Sequence, residues 1–166
     1  RSLEKVSVKF DGPTRVFTIS NQKGGVGKTT TTVNIAASPA SLGAKVLVID
    51  LDPQGNASTA LGVPHTAETS SIYDVLINEE PIRNAIYDSG RKGLHLCPAN
   101  IDLAGAEVEL VERLVVSRET VLKRAVQPIR NTYELILMDC PPSLSLLTVN
   151  ALTTADGLLV PIQSEY

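Results

Sequence analysis

The fold of this chain is decided by the stretch Gln22-Lys23-Gly24-Gly25-Val26-Gly27-Lys28-Thr29-Thr30. A run rich in β-forming residues precedes it at 15–20, and a segment that predicts a helix from residue 28 to about residue 42 follows it. Glycines let several backbone N–H groups point at one anion without a Cβ in the way, and the beginning of a helix adds unpaired N–H groups. The stretch therefore predicts a phosphate-binding loop between a strand and a helix.

The side chains of this loop indicate a nucleotide bound with magnesium. Lys28 can reach the β- and γ-phosphates, and the Thr29 hydroxyl is placed to ligate Mg²⁺. The common pattern G-x-x-x-x-G-K-[ST] has glycine where this chain has Gln22, and an extra lysine, Lys23, precedes the double glycine. The predicted nucleotide-binding residues are Lys23, Gly24, Gly25, Val26, Gly27, Lys28, Thr29 and Thr30.

Two other interpretations of the loop are possible. It could be a flexible glycine-rich turn with solvated lysines. It could also be a dinucleotide-binding turn, because Asp50 follows Lys28 at close to the spacing of a ribose-binding acid. Thr30, however, stands where G-x-G-x-x-G requires glycine, and a Lys-Thr pair has no role beside a pyrophosphate held by backbone alone.

The rest of the chain predicts an alternation of strands and helices. Further strands are expected at 45–50, 94–97, 135–138 and 158–162, and helices at 71–78, 82–87 and 146–152, with mostly loop at 51–69. Strands that alternate with helices favour right-handed crossovers. We therefore expect an α/β fold with a mostly parallel sheet flanked by helices.

Local signals predict details of three helices. Gly43 is expected just beyond the end of the first helix, and Pro39 should kink that helix or end it early. Asn100 and Ser117 can each cap a helix. The buried face of the helix after Asn100 is predicted to comprise Leu103, Ala106, Leu110 and Val111.

Acidic residues follow two of the predicted strands. Asp50 ends the strand at 45–50, with Asp52 two residues later, and Asp139 follows the strand at 135–138. Ligands of parallel sheets bind where the carboxyl ends of the strands open onto loops. Asp50 and Asp52, at positions i and i+2, can face the same side. We therefore expect these carboxylates near the phosphate loop.

Composition excludes several classes of protein. The 166 residues are 43% hydrophobic and 20% charged, as in ordinary globular domains, and no apolar run is long enough to span a membrane. The formal net charge of −3 gives no global electrostatic reason to bind DNA. Cys97 and Cys140 are far apart in sequence and suit a reduced, cytoplasmic protein.

At this point the chain resembles a known family, the ParA/Soj partition ATPases. They belong to the deviant Walker A ATPases, which also include MinD and the nitrogenase iron protein. The resemblance spans residues 15–166 and rests on the blocks 22–32, 48–58 and 135–143, while 98–107 and 160–166 resemble ParA in particular. It implies a P-loop NTPase fold of the deviant Walker A type, with ATP and Mg²⁺ as ligands.

The resemblance also implies roles for single residues. Asp139, at the Walker B position, would hold a water of the magnesium ion, Asp50 would support the magnesium shell, and Asp52 would orient or deprotonate the attacking water. Lys23 would cross a dimer interface to the nucleotide of the partner. The implied catalytic residues are Lys23, Lys28 and Asp52, and the implied metal residues are Thr29, Asp50 and Asp139. Asp52 could alternatively be only a turn residue before Pro53.

For the whole protein, the resemblance implies an ATPase that acts as a dimerisation switch in chromosome or plasmid partition. Its partners would be a second copy bound in the presence of ATP, a ParB-like activator, and DNA without sequence preference, though this chain alone is not expected to bind DNA. It would be cytoplasmic, nucleoid-associated when ATP-bound, and not on a membrane. We expect a leader or tail at 1–14 and an incomplete, C-terminally truncated ATPase domain at 15–166.

Two alternatives remain open. One is a MinD-like, membrane-associated ATPase of cell division, which needs a C-terminal amphipathic helix. The other is a metabolic enzyme or metal-cluster carrier built on the same loop, which would call for further cysteines or a substrate pocket.

Overall fold

The computed structural model describes residues 12–20, 26–64, 66, 68–113 and 117–160, with the backbone alone at 26–30. The strands are β1 (Arg15–Ile19), β2 (Val46–Asp50), β3 (Tyr87–Asp88), β4 (Leu94–Cys97), β5 (Leu135–Asp139) and β6 (Gly157–Leu159). The helices are α1 (Val26–Ser41), α2 (Asn56–Ala60), α3 (Ile72–Ile77), α4 (Ala106–Arg113), α5 (Val121–Val126) and α6 (Leu146–Thr154). Short 3₁₀ helices lie at Ile82–Ala85, Ile101–Gly105, Arg118–Thr120 and Gln127–Thr132.

The six strands form one sheet in the order β3-β4-β2-β5-β1-β6. Every neighbouring pair is parallel except β3 with β4. This confirms the predicted α/β fold with a mostly parallel sheet. Because β5 pairs with both β1 and β2 in parallel, the carboxyl ends of these three strands lie side by side at the same end of the sheet.

Helices cover both faces of the sheet, so that the central strand β2 is buried over its whole length. Val46 and Val48 belong to the core on the side of α1, whereas Leu47 and Ile49 belong to the core on the side of α3, α4, α5 and α6. The alternation follows from the two-residue period of a strand. A central strand such as β2 therefore requires an unbroken run of apolar residues.

Helix α1 begins at Val26 and ends at Ser41, close to the predicted bounds of 28 and 42. Gly43, with φ 107°, donates to the Ala40 carbonyl at 3.1 Å, and Ala44 donates to the Pro39 carbonyl at 3.1 Å. These two bonds form a Schellman motif, which satisfies carbonyl groups at the end of the helix. Pro39 therefore lies in the last turn, and the helix continues for two residues beyond it.

Several predicted element bounds were wrong. Residues 51–69 are mostly loop, as predicted, apart from the short helix α2. The predicted helix at 82–87 is instead a 3₁₀ turn, Ile82–Ala85, followed by the short antiparallel strand β3. The last strand lies at Gly157–Leu159 instead of 158–162, of which 161 and 162 lie outside the described residues. A strand of two residues is too short to show a hydrophobic periodicity, so the sequence pattern could not predict β3. This strand forms by pairing with β4.

The helix caps were predicted with mixed success. The Asn100 side chain accepts the Asp102 N–H at 3.0 Å and caps the 3₁₀ turn that leads into α4, as predicted. Val111, predicted to be buried, is 52% exposed. Ser117 has φ 63° and makes no capping hydrogen bond with its side chain, because the turn that it begins is a 3₁₀ turn entered from a left-handed residue.

Candidate functional site

The sheet register brings together the strand ends that the sequence marked with acidic residues. Asp139 at the end of β5 pairs with Ile19 at the end of β1 and with Asp50 at the end of β2. The chain leaves β1 into the segment 21–25, which leads into α1 at Val26. The predicted phosphate loop thus starts from the end of β1. Asp139 ends the neighbouring strand β5, and Asp50 ends β2, the strand beyond β5.

Asp50 is fully buried, and protein groups donate to both of its carboxylate oxygens. Oδ1 accepts the Asp52 N–H at 3.0 Å. Oδ2 accepts the Ser58 N–H at 3.0 Å and the Ser58 hydroxyl at 2.8 Å. The Ser58 Oγ in turn accepts the Ala99 N–H at 3.2 Å. Asp50 therefore ties helix α2 and the segment after β4 to the end of β2.

The surroundings of Asp50 favour its protonated form. Burial, followed by the charge of Asp139, raises the pKa of Asp50 from 3.8 to about 7, against the lowering effect of the hydrogen bonds from Asp52 and Ser58. Two carboxylates on paired strand ends repel each other when both are ionised. A cation bound between them would relieve that repulsion, and this is the electrostatic reason to expect one here.

Asp139 is also fully buried, and it contacts helix α1 through Thr32, whose hydroxyl donates to Oδ1 at 3.4 Å. The backbone on either side is held firmly. The Leu51 N–H donates to the Asp139 carbonyl at 2.9 Å, and the Cys140 N–H donates to the Ile19 carbonyl at 3.1 Å. Asp139 is therefore fixed between the strands that lead to the loop and to Asp50.

Asp52 lies beyond the end of β2, in a turn, and is 9% exposed. Its Oδ1 accepts the Gln54 N–H at 3.0 Å, and its carbonyl accepts the Gly55 N–H at 2.8 Å. The turn uses the φ of 66° at Gly55, which a residue with a Cβ rarely adopts, and α2 begins directly after it. The structure thus shows the turn role of Asp52, and a role toward water stays a prediction.

The loop itself is described only at its end. Lys23, Gly24 and Gly25 lie outside the described residues. The backbone of residues 26–30, which include Gly27, Lys28, Thr29 and Thr30, begins α1. Helical backbone directly after the segment is the context that a phosphate-binding loop requires. The predicted roles of these side chains stay predictions.

The carboxylate and hydroxyl oxygens gathered here are the kind of ligand that Mg²⁺ takes. Asp139 is the better placed carboxylate, since it ends the strand next to β1, whereas both oxygens of Asp50 already accept protein hydrogen bonds. The residues therefore fit a magnesium ion, and the metal roles of Asp139 and Asp50 stay predictions.

Two polar residues of the site were not singled out by the sequence analysis. Thr32 lies one helical turn after the loop threonines, and Ser58 lies in the short helix α2, within the segment that was expected to be mostly loop. Both lie in blocks that carried the family resemblance, and this was the signal that could have identified them. Spacing alone could not identify Thr32, because its carboxylate partner Asp139 is 107 positions away in sequence.

The two cysteines give no support to a metal-cluster carrier. Cys97 and Cys140 are both fully buried, and burial raises the pKa of the Cys97 thiol. Within the described ranges, no group of three or more His, Cys, Asp or Glu side chains is placed to hold a metal ion. Nor does the described part of the chain contain a helix of the length and apolarity that crossing a membrane demands.

The fold and the site define a class of protein. A mostly parallel sheet, a glycine- and lysine-rich segment between β1 and α1, and acidic residues at neighbouring strand ends define a P-loop NTPase-like domain. A family model described as an AAA domain matches residues 14–166.

Named relatives and a solved structure agree with that match. The sporulation initiation inhibitor protein Soj of Bacillus subtilis is 47% identical over 152 residues, which are 92% of this chain and 59% of Soj. The chromosome partitioning protein ParA of Myxococcus xanthus is 49% identical over 152 residues, 92% of this chain and 53% of that ParA. The cobyrinic acid a,c-diamide synthase of Mycobacterium smegmatis, with bound ATP analog and magnesium, has a TM-score of 0.84 and 42% identity, covering 92% of this chain and 62% of that one.

The chain therefore belongs to this AAA domain family, and its similarity to Soj and ParA confirms the resemblance drawn from its motifs. It spans 53–59% of the length of these two curated relatives.

Proposed function

We propose that this chain is the nucleotide-binding part of a Mg²⁺-dependent ATPase that acts as a dimerisation switch in chromosome or plasmid partition. One observation carries the proposal: β5 lies between β1 and β2, so that Asp139 lies beside the strand end from which the lysine-rich loop starts, and Asp50 lies at the end of the next strand. The names of the Soj and ParA relatives support the role in partition, and the magnesium and ATP analog in the mycobacterial neighbour support the ligands.

In this proposal the loop residues bind the phosphates. The N–H groups of residues 23–30, which include Gly24, Gly25, Val26, Gly27 and Thr30, surround them at the beginning of α1, where the helix dipole favours an anion. Lys28 contacts the β- and γ-phosphates as a point charge, and the Thr29 hydroxyl faces the metal. When bound, magnesium would neutralise the charge of the phosphates, and Thr29, Asp139 and Asp50 are the residues that would hold it. Asp139 orients a water of that ion, and Asp50 holds α2 and the strand ends in place behind it.

Hydrolysis in this proposal depends on two further residues. Asp52 orients the attacking water or accepts its proton, while its Oδ1 accepts the Gln54 N–H in the turn. Lys23 reaches the nucleotide of a second copy, so that each site in an ATP-dependent homodimer receives one cation from its partner. In this proposal, dimerisation would therefore depend on whether ATP is bound.

The remaining partners follow from the partition role. The intact protein would bind DNA through lysine and arginine contacts to phosphates, without sequence preference. A ParB-like protein would stimulate hydrolysis and release. The protein would be cytoplasmic and nucleoid-associated when ATP-bound.

The first test measures ATP hydrolysis by the purified protein with Mg²⁺ and with EDTA. We expect phosphate release only with Mg²⁺, without any second substrate, and its loss in Lys28→Ala. Lys92→Ala, an exposed lysine in the turn before β4, is the matched control and should hydrolyse ATP like the unchanged protein. Hydrolysis by Lys28→Ala at the unchanged rate would overturn the assignment of the loop. A requirement for an organic acid and an amide donor would instead favour a synthase like the mycobacterial neighbour.

The second test isolates Lys23. Lys23→Ala should bind ATP with nearly unchanged affinity, because Lys28 still holds the phosphates, yet it should not dimerise when ATP is added. Sedimentation velocity with and without ATP measures this, again with Lys92→Ala as control. A Lys23→Ala protein that dimerises with ATP like the control would show that Lys23 does not act across an interface.

A further inference from the structure

Helix α1 places a threonine hydroxyl on its buried face. Thr32, Ala36 and Ala40 stand four residues apart, and each is at most 1% exposed. Ala36 and Ala40 pack in the apolar core between α1 and the sheet, as this face of the helix requires. A buried hydroxyl among apolar side chains costs free energy unless it is hydrogen-bonded, so the contacts of Thr32 indicate what it does.

The hydroxyl of Thr32 faces the carboxylate at the end of β5. In that strand Leu137 packs in the core on the side of α1, and Asp139, two residues later, faces the same side of the sheet. The Thr32 hydroxyl donates to Asp139 Oδ1 at 3.4 Å, and both residues are fully buried. This contact joins the helix that follows the predicted phosphate loop to the strand end beside that loop.

We propose that Thr32 is a positioning residue, whose hydroxyl fixes the orientation of the Asp139 carboxylate toward the magnesium ion. This inference rests on the proposed function, which gives Asp139 its role toward a water of that ion. The last torsion of an aspartate side chain is broad, so a donor on one defined oxygen restricts how the carboxylate is turned. Groups that orient metal-binding residues in this way typically change metal affinity about 10–100-fold.

The two neighbouring carboxylates are held from opposite directions. Asp50 accepts hydrogen bonds from Asp52 and Ser58, which lie after β2 and in α2. Thr32 provides a contact to Asp139 from α1, on the side of the phosphate loop. The distance of 3.4 Å is long for a hydroxyl donating to a carboxylate, and hydrogen bonds of catalytic sites are often long in the absence of the ligand.

Thr154 is a matched control, because it is a buried helical threonine far from the site. It is 4% exposed, and its hydroxyl donates to the Asn150 carbonyl of its own helix at 2.7 Å. Helix α6 leads from the end of β5 to the start of β6, so Thr154 lies at the end of the sheet opposite Asp139. Thr154→Val therefore removes a buried hydroxyl without changing the strand ends of the site.

The first test measures metal binding and not activity. Thr32→Val keeps the shape of the side chain without its hydroxyl, and Thr32→Ser keeps the hydroxyl. In the full-length protein with ADP, Thr32→Val should bind Mn²⁺ about 10-fold more weakly by electron paramagnetic resonance, and Thr32→Ser should stay within about 2-fold of the unchanged protein. Thr154→Val should bind Mn²⁺ like the unchanged protein.

The second test observes the carboxylate without any ligand. The ¹³C chemical shift of the Asp139 carboxyl carbon in the nucleotide-free protein should change in Thr32→Val, return in Thr32→Ser and stay unchanged in Thr154→Val. Thr32→Ala removes the hydroxyl without adding any group that could clash, and it should reproduce the result of Thr32→Val in both measurements.

The kinetic consequence separates this inference from the proposed function. The Mg²⁺ concentration for half-maximal ATP hydrolysis should rise about 10-fold in Thr32→Val, while the KM for ATP at saturating Mg²⁺ should stay within about 2-fold. Mn²⁺ affinity in Thr32→Val equal to that of Thr154→Val, beside normal hydrolysis by the unchanged protein, would overturn the positioning role alone. An unchanged protein without Mg²⁺-dependent hydrolysis would overturn the proposed function, and this inference with it.

Discussion

Ser58 links three segments of the site through one hydroxyl group, and its removal tests the site's architecture. The side chain is fully buried, donates to Asp50 Oδ2 at 2.8 Å, and accepts the Ala99 N–H at 3.2 Å. Ser58→Ala removes the donor and the acceptor at once. The Ser58 N–H still donates to Asp50 Oδ2 at 3.0 Å, so the carboxylate keeps part of its hydrogen bonding.

The expected loss follows from two contributions. A hydrogen bond to a buried charged group contributes about 1.5–3 kcal/mol, and the Ala99 N–H, left buried without its acceptor, costs a further 1–3 kcal/mol or so. We therefore expect Ser58→Ala to lower the free energy of unfolding by about 3–5 kcal/mol. For a domain of this size that corresponds to a Tm lower by roughly 10 °C. Since the Ser58 side chain lowers the pKa of Asp50, that pKa should also rise above about 7.

Urea denaturation at equilibrium, followed by circular dichroism, measures the change. Ser41→Ala is the matched control, because Ser41 is exposed and its hydroxyl donates at 2.7 Å only to the carbonyl of Ser38 at the end of α1. It should change the free energy of unfolding by less than about 0.5 kcal/mol. A loss in Ser58→Ala of less than about 1 kcal/mol would refute the view that this hydroxyl joins α2 to the strand ends.

Two further predictions concern the neighbouring strands. Asp139→Asn removes the second largest cause of the raised pKa of Asp50, so that pKa should fall from about 7 toward 3.8, as measured by NMR titration of the Asp50 carboxyl carbon; an unchanged pKa would contradict the coupling. A carboxyl group whose pKa is higher in the folded state makes the free energy of unfolding decrease as the pH rises from 3.8 to about 7. In Asp139→Asn, denaturation curves should therefore show a smaller loss of this free energy between about pH 5 and pH 7. Gly93→Ala should lower the free energy of unfolding by at least about 2 kcal/mol, because Gly93 has φ 71° and a Cβ would lie 2.5 Å from the Ala44 carbonyl oxygen. Gly90→Ala is the control, because Gly90 has φ 81° and open space around it, so that this substitution introduces backbone strain without a steric clash. Equal Tm values for Gly93→Ala and Gly90→Ala in thermal melts would contradict the predicted clash with Ala44.

Local residue patterns were sufficient to predict most of the sheet. The apolar runs at 46–49 and 135–138 are β2 and β5 because a strand covered on both faces must be apolar along its whole length. The glycine at residue 43 was sufficient to predict the end of α1, because only a residue without a Cβ adopts its left-handed conformation easily. These are properties of neighbours in sequence, which a pattern records.

Features that depend on tertiary contacts could not be predicted in this way. The helix α2 forms in a glycine- and proline-rich segment because the buried carboxylate of Asp50 holds its backbone at Ser58. Val111 continues the apolar period of α4, yet the helix is rotated so that the core receives Leu103, Ala106 and Leu110 instead. Periodicity shows that a residue is apolar, but not which neighbour covers it.

The sequence by itself determined the class of this protein, since the order of glycines, lysines and threonines before a helix specifies phosphate binding through local backbone chemistry. Only the tertiary structure decided the order of the strands, and with it that Asp139 lies between the strand leading to the loop and the strand ending in Asp50. The physical reason is that strand order depends on which helices pack on which face. Those contacts join residues about a hundred positions apart, which no local pattern encodes.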